Sequence, residues 1–536
     1  MLDTIIKNGR IIDGTGNPWF YGDVGIKGGK IVTVGHSTEE AGEIIHANGS
    51  IVSPGFIDGH CHSDLMILDF PESEIKLQQG VTTEVVGNCG LSPVPVNPLY
   101  KEELQNYVEP VLGKANKEWK WQTISDYFNE LDQSLISENV ASYVAHGSLR
   151  IAVMGFDNRP PTREEMDEMK YILEEGMKAG AIGLSIGLLY SPGSYSAKEE
   201  IAELCKVVTK YNGLFSTHIR GEGNNLLPSV KEVLWIAEKA NVPLHISHLK
   251  AAGKRNWGKV MEAMELIEKA RSNGMDVTCD VYPYSAGSTM LTTLLPPWAL
   301  EGGLTAVLNR LRDRHERSKI KQELVQEQDE WDNLVVSTGW DSVILSSVKS
   351  PALKKYEGQS ILSISSENGK DPVDQAFDLF IEENGNIGIV FFHMDEQDVQ
   401  QVMKYQNSLI ASDSLTCYTG KPHPRLFGTF PRVFSKYVKQ EKILSIEDAV
   451  RKMTSFPAKR FGLGNRGLLA ESYAADIVVF DIEQIEDKAT YEDPSRYPEG
   501  IQYVFVNGKL TTKKKQHTAQ KCGCFLRNTP STILTR

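Results

Sequence analysis

The feature that most narrows the fold of this chain is a rhythm. Through its long middle, short apolar strands are each followed by a helix-length amphipathic segment, with a repeat of about 30 residues. Strand candidates begin near Gly55, Val81, Val140, Ala181, Leu214, Val242, Asp276, Ile387 and Leu409. Helix candidates cover 162–179, 197–211, 227–240, 257–273 and 395–405. A strand–helix–strand repeat returns the chain in the same direction, so the sheet must be parallel. This many units predicts an α/β fold, a closed (β/α)8 TIM-like barrel rather than an open sheet. Nine candidates for eight staves leave one of the last three to an insertion.

The two ends follow a different pattern. The first fifty residues alternate short β runs, at 5–7, 11–13, 22–27, 30–34, near Ile44 and at 51–52, with Gly, Asn and Asp turns. That predicts small antiparallel sheets. The same pattern returns at 475–481 and 504–509, so one small β-sandwich is expected from both termini. The expected organisation is sandwich at 1–55 and 466–511, barrel at 56–465, and a tail at 512–536. The stretch 286–386 breaks the rhythm with irregular charged runs such as R-D-R-H-E-R and Q-E-Q-D-E-W. A segment this long inside a compact fold is a functional loop or a subdomain, and it is read as an insertion over the barrel mouth. The tail, with K-K-K and C-G-C, reads as an extended wrap.

Composition excludes several classes of function. With 70 acidic against 57 basic residues the formal charge is −13, the wrong sign for a nucleic-acid or anionic-membrane binder. No apolar run approaches the roughly 18 residues of a membrane span, and M-L-D-T-I-I-K-N-G-R has neither the basic nor the apolar region of a secretory signal. Seven scattered cysteines fit free thiols in a reducing compartment. The expectation is a cytoplasmic protein acting on a small molecule, with a dimer possible.

The densest chemical signal is Pro54-Gly-Phe-Ile-Asp-Gly-His-Cys-His-Ser-Asp64. His60 and His62 are two apart at a strand end, so both imidazoles leave one face. At the C-terminal end of a barrel strand that face is the active-site floor. Two convergent imidazoles suit a divalent transition metal, most often zinc. Cys89, His218, His248 and Asp413 end later strand candidates at the same height. Sulfur, imidazole and carboxylate from five strand ends converge only if the sheet closes.

Taken together, G-F-I-D-G-H-C-H, V-V-G-N-C-G, T-H-I-R-G-E-G, H-I-S-H-L-K and A-S-D-S resemble the amidohydrolase superfamily. Within it they are most similar to the N-acyl-D-amino-acid deacylase (D-aminoacylase) branch, which has a cysteine on the second strand where most dinuclear members bridge with a carboxylated lysine or a glutamate. The resemblance runs from I-I-K-N-G-R-I-I-D-G-T-G to the closing V-N-G-K. It implies a zinc-dependent hydrolase of linear amides, releasing a carboxylate and a D-amino acid. Carried over, Cys89, His218 and His248 hold one tight zinc, and His60 and His62 contribute to a second, weaker position. A metal-bound hydroxide is the nucleophile, and Asp413 is the general base and then the acid. Arg425, in H-P-R-L-F-G-T-F-P-R, grips the substrate α-carboxylate, while Tyr190 and Tyr282 line the pocket. Lys250, two residues after His248 on the same face, can reach the substrate carboxylate or carbonyl. The segment 281–300 contains no Lys or Arg, which favours apolar or mixed D-amino acids over acidic ones.

Two alternatives remain. A cyclic-amide hydrolase of hydantoinase or dihydroorotase type is opposed by Cys89, by Arg425 and by the lack of a strand-end lysine suited to bridging. An inactive barrel scaffold is opposed by the intact set of ligands. Other residues have plainer readings. Cys61 points to the opposite face from its histidine neighbours, as a core thiol. His245 is a ligand's partner or core, His146 and His393 are polar core, and His423 orients the loop of Arg425. His36, His46, His315 and His517 are surface residues. Cys205 and Cys279 fill space, Cys417 is structural, and Cys522 with Cys524 is too little for a metal site. Asp276 and Asp280 read as strand-end caps. Glu222 is either a ligand's partner or a solvated loop charge.

Overall fold

Eight short strands run parallel through the middle of the chain: β1 (Phe56–Asp58), β2 (Val81–Val86), β3 (Asn139–Ser142), β4 (Gly183–Gly187), β5 (Leu214–His218), β6 (Leu244–Ile246), β7 (Val277–Val281) and β8 (Ser408–Ile410). The computed structural model describes residues 1–415 and 420–528. Each strand pairs with the next in sequence, the link from β3 to β4 being made by its continuation Val144–Ala145. Just past the strand ends, Ser414–Leu415 pairs in parallel with Cys61–His62, bringing the last of the series beside the first. Every residue of the eight strands is buried, because helices cover one face of a parallel sheet and side chains fill the other.

The five helices expected from periodicity form within three residues of their anticipated limits: Arg163–Lys178, Lys198–Lys210, Leu226–Ala240, Val260–Ser272 and Glu396–Lys404. Local chemistry sets the first start. Thr162 Oγ1 accepts the N–H of Glu165 while the Glu165 carboxylate accepts the N–H of Thr162, a reciprocal cap.

Both termini build one nine-stranded sheet, with Leu2–Ile11, Phe20–Lys27, Lys30–Gly35, Ala41–His46 and Ile51–Pro54 from the start and Ile477–Phe480, Ile501–Val506, Lys509–Lys513 and Gln516–His517 from the end. Two expectations are corrected. The runs at 5–7 and 11–13 are one strand, broken in register between Ile6 and Gly9, where Asn8 is left-handed (φ 57°). The sheet is also not wholly antiparallel, because Leu2–Ile11 pairs in parallel with Ala41–His46 and Ile51–Pro54. Alternation of apolar residues reports which face is buried and carries no information on a partner's direction. The tail expected from 512 starts later, since Lys509–Lys513 and Gln516–His517 still belong to the nine-stranded sheet; its described part then lies along the parallel sheet, with Phe525 stacked on Phe128 at 4.3 Å and Val140 N–H donating to the Cys524 carbonyl.

The segment read as irregular is ordered. Ala286–Met290, Gly388–Phe392 and Val343–Ser347 form an antiparallel sheet. It shares a separate apolar core with helices such as Gly303–Arg312, Arg314–Leu324 and Pro372–Glu382, through Leu311, Ile320, Leu345, Phe377 and Phe380. The ninth strand candidate, near Ile387, belongs here. The charged runs are the wet faces of these helices, and short apolar stripes between them are easily read as loop. Among the described residues no helix is long and apolar enough to cross a membrane.

Aromatic packing joins the terminal sheet to the parallel one. Phe56 of β1 is fully buried with Phe430, Phe434 and Phe480 at ring distances of 5.8, 5.6 and 6.1 Å. Phe56→Ala leaves a cavity at this junction and is expected to lower stability by about 3–5 kcal/mol. Urea denaturation checks this, and Phe56→Leu should recover more than half of the loss.

Candidate metal centre

Three of the residues with chemical potential sit on backbone that side chains avoid. Cys89 (φ 54°), His248 (φ 35°) and Asp413 (φ 48°) are left-handed, each just past the end of a strand. Each such residue costs about 1–3 kcal/mol and persists where its surroundings hold it. Around Cys89 the hold is close backbone packing. A Cβ on the following Gly90 would lie 2.9 Å from the Gly187 nitrogen at the end of β4, so only glycine fits.

These turns aim five strand ends at one point. Cys89 Sγ lies 3.2 Å from His60 Nε2 and 3.7 Å from His248 Nε2, and the His218 ring is 4.3 Å from that of His248. Asp413 Oδ1 lies 3.4 Å from His60 Nε2 and 3.3 Å from His62 Nε2. Asp413 Oδ2 is ion-paired with Arg425 Nη1 at 2.9 Å. Arg425 also donates to the Ser288 carbonyl, and its guanidinium lies 4.7 Å over the Tyr282 ring. Lys250 Nζ lies 2.6 Å from Glu222 Oε1 and 2.7 Å from His248 Nδ1. Tyr190 packs its ring 5.0 Å from His218 and places its hydroxyl 3.3 Å from Thr289 Oγ1. It also lines a cavity of about 560 Å³ with Tyr107, Met290 and Phe380, so it has the metal-type residues on one side and open space on the other.

Two carboxylates with modest sequence readings prove central. Asp280 is fully buried and is no strand-end cap: Oδ2 meets His60 Nδ1 at 3.1 Å and His245 Nε2 at 2.9 Å, and Oδ1 accepts the His248 N–H at 2.8 Å. It thus fixes which nitrogen of His60 faces Cys89. Its signal was present in the sequence, since it lies one residue short of the C-terminal end of β7, the end of the strands at which the other ligand-type residues gather. Glu222 is buried as well, 3.0 Å from His248 Nδ1 and 3.6 Å from His218 Nε2.

Anionic charge dominates the electrostatics. Burial alone would push the Cys89 thiol up, but the His60 charge and the imidazoles gathered around the sulfur hold it well below the usual thiol range. Burial likewise opposes ionisation of Asp413, and Arg425, His60 and His248 overcome it. Glu222 follows the same course through Lys250 and the two histidines. Burial pulls His60 down, yet Cys89, Asp280 and Asp413 raise it well above its ordinary value. A thiolate and carboxylates gathered out of water demand cations in return.

The side chains present fit a divalent metal. His60, Cys89 and His248, then His60, His62 and Asp413, then His218, Glu222 and His248 each bring three donor atoms within 4.8 Å of one another, all buried. Neither nitrogen of His218 makes a regular hydrogen bond among the described residues, a costly state for buried imidazole unless something binds it. Thiolate with imidazole is a zinc-type donor set.

The plainer expectations meet mixed outcomes. Cys61 turns away, its Sγ 3.3 Å from the Val85 carbonyl. His245 reaches the centre through Asp280. His423 Nδ1 accepts the Arg425 N–H at 3.0 Å, which orients that residue. His146 pairs with Glu200 at 3.1 Å, in the core. His393 is buried beside Gly287, and burial followed by Lys250 pushes it down to about 3. Cys417 lies outside the described residues.

A family model described as the amidohydrolase family matches residues 43–320 and 407–512. This chain belongs to that family. A D-aminoacylase of Alcaligenes xylosoxydans xylosoxydans is 34% identical over 532 residues, 98% of each chain. An N-acyl-D-glutamate deacylase of the same organism is 34% identical over 508 residues, 95% of this chain and 93% of the other. The crystal structure of an N-acyl-D-glutamate deacylase from Bordetella bronchiseptica, complexed with zinc and a phosphonate mimic of the tetrahedral intermediate, superposes with a TM-score of 0.83 at 32% identity, covering 98% of this chain and 99% of that one.

If Asp280 orients His60, Asp280→Asn should weaken divalent-metal affinity by about 10–100-fold, and Cys89→Ala should abolish the tightest binding. Zinc titration with a competing chelator reads both, with Cys205→Ala as the unaffected control.

Proposed function

We propose that this amidohydrolase uses zinc to hydrolyse N-acyl-D-amino acids, releasing a carboxylate and a D-amino acid. The observation that carries the reading is the Asp413–Arg425 ion pair beside a thiolate–imidazole cluster. It puts a proton acceptor and a carboxylate receptor within one side-chain length of each other. Relatives named for N-acyl-D-amino-acid substrates support the choice of substrate. In this reading the eight strands form a (β/α)8 barrel (56–465) with a lid-like insertion from 286 that extends to Phe392, a terminal β domain of 1–55 and 466–517, and a tail beyond it. The odd, scattered cysteine complement supports a cytoplasmic setting.

Cys89, His218 and His248 would hold one zinc tightly, and His60 and His62 would contribute to a weaker second position. Zinc, when bound, supplies Lewis-acid polarisation of the amide carbonyl and brings the ionisation of water near neutrality. The side chains supply the rest. Arg425 takes the substrate α-carboxylate in a forked contact that fixes the position and hand of Cα. In doing so it exchanges Asp413 for the substrate, which leaves the Asp413 carboxylate to accept a proton from water and deliver it to the departing nitrogen. That second transfer matters because an amine is a poor leaving group. Tyr282 presents its ring to both Arg425 and Lys250 and keeps the two cations apart. Lys250, held by Glu222, stands on the carbonyl side. Arg425 serves the α-carboxylate, Lys250 is held by Glu222, and 281–300 adds no further cation, so apolar or mixed D-amino acids fit better than acidic ones.

Zinc-loaded protein should turn over N-acetyl-D-methionine and leave its L enantiomer, hydantoin and dihydroorotate untouched. Turnover of the cyclic compounds alone refutes the reading, and absence of bound zinc with no turnover favours a scaffold. Arg425→Met should lose about 10–100-fold in kcat/KM, the worth of a charged hydrogen bond.

A further inference from the structure

Below the candidate metal centre lies another buried group with no part in the chemistry above. Asp58, Cys61 and Glu84 bring donor atoms within 4.8 Å of one another, the pattern of a cation site. The cation there is the protein's own. Lys76 Nζ lies 2.6 Å from Asp58 Oδ2 and 2.6 Å from Glu84 Oε1, and donates to Ser414 Oγ at 3.0 Å. The lysine is 4% exposed, so its charge depends on these partners. It stands on the short helix Glu74–Leu77, separate from both β1 and β8.

Asp58 carries the contact onward. Its Oδ1 accepts the Ser412 N–H at 2.9 Å and its Oδ2 accepts the Ser412 hydroxyl at 2.5 Å. Ser412 Oγ in turn accepts the Ser414 N–H at 3.1 Å. Both neighbours of Asp413 are therefore clamped from beneath, while its own N–H donates to the His60 carbonyl at 2.7 Å. Asp413 is the residue between them with a left-handed φ of 48°. An unfavourable conformation survives where several independent ties enforce it, and here the ties come from three elements. Their result is a carboxylate with one oxygen toward His60 and His62 and the other on Arg425.

We propose that Lys76, Asp58 and Ser412 are positioning residues for Asp413: a buried ammonium–carboxylate–hydroxyl chain that holds the strained turn placing the carboxylate between the histidine pair and Arg425. The inference rests on the reading of Asp413 as base and second-position neighbour, and it concerns how that group is aimed rather than what it does. Removing the chain lets the turn relax by a fraction of an ångström to an ångström, enough to cost about 10- to 100-fold in rate when a reacting group is misplaced.

Ser412→Ala deletes only the hydroxyl link, Ser412→Thr keeps it, and Lys76→Met removes the charge. In zinc-loaded protein acting on N-acetyl-D-methionine, Ser412→Ala should lower kcat about tenfold or more with KM within about threefold, and Ser412→Thr should restore most of it. Titration of Co²⁺ into protein carrying one zinc gives a readout that needs no substrate. Uptake of that further equivalent should weaken about tenfold or more in Ser412→Ala and Lys76→Met, with the first zinc retained. Unchanged kcat and Co²⁺ uptake in Ser412→Ala, even with a lower melting temperature, would show the chain to be structural alone and overturn the proposal. Equal losses in Ser412→Ala and Ser412→Thr, or loss of the first zinc, would overturn it too. If the parent fails to turn over the substrate, the functional reading falls, and the Co²⁺ titration still decides this inference.

Discussion

The structure depends on keeping negative charge out of water at the ends of parallel strands. The thiolate of Cys89 and the carboxylates of Asp413 and Asp280 lie 3.2, 3.4 and 3.1 Å from the ring of His60, and Glu222 lies 3.0 Å from that of His248, all buried. Such a group is stable only if each charge meets a cation or a hydrogen-bond donor. Arg425 answers Asp413, Lys250 answers Glu222, and His60 with His245 answers Asp280. Cys89 is met by imidazoles, that of His60 first at 3.2 Å, and sulfur ringed by imidazole nitrogens is a donor set that suits a divalent metal.

The surrounding framework is arranged to tolerate this. Three of the key residues are held in left-handed turns, an unfavourable local state that strands, glycine contacts and the Lys76–Asp58–Ser412 chain together enforce. The aromatic group around Phe56 ties β1, which leads directly into His60 and His62, to the terminal sheet. Stability invested around the strand ends thereby offsets the strain at them, and function is placed on rigid elements rather than on free loops.

Much of this was legible in order along the chain. The helices at 163–178 and 198–210 were readable because their apolar stripes have a strong period and acidic first turns. His60, His62, Cys89, His218, His248 and Asp413 were readable because each ends an apolar run. Asp280 lies near the end of one as well, yet it reads as a cap, since a carboxylate that serves a histidine looks in sequence like one that serves a backbone N–H. The insertion misled for a related reason: its apolar stripes are short and lie among charges, so its separate core around Phe377 and Phe380 has no continuous signature.

Residue type and spacing along the chain determined the alternation of strand and helix, and the kinds of donor atom available at the strand ends, because both depend on local periodicity. Only the tertiary structure decided which of those atoms meet. The pairing of Asp413 with Arg425, the sharing of Asp280 between His60 and His245, and the burial of Lys76 under Ser412 join residues up to 336 positions apart. Contacts of that kind are set by the pairing of strands far apart in sequence and by packing from several elements at once, and no stretch of sequence records them singly.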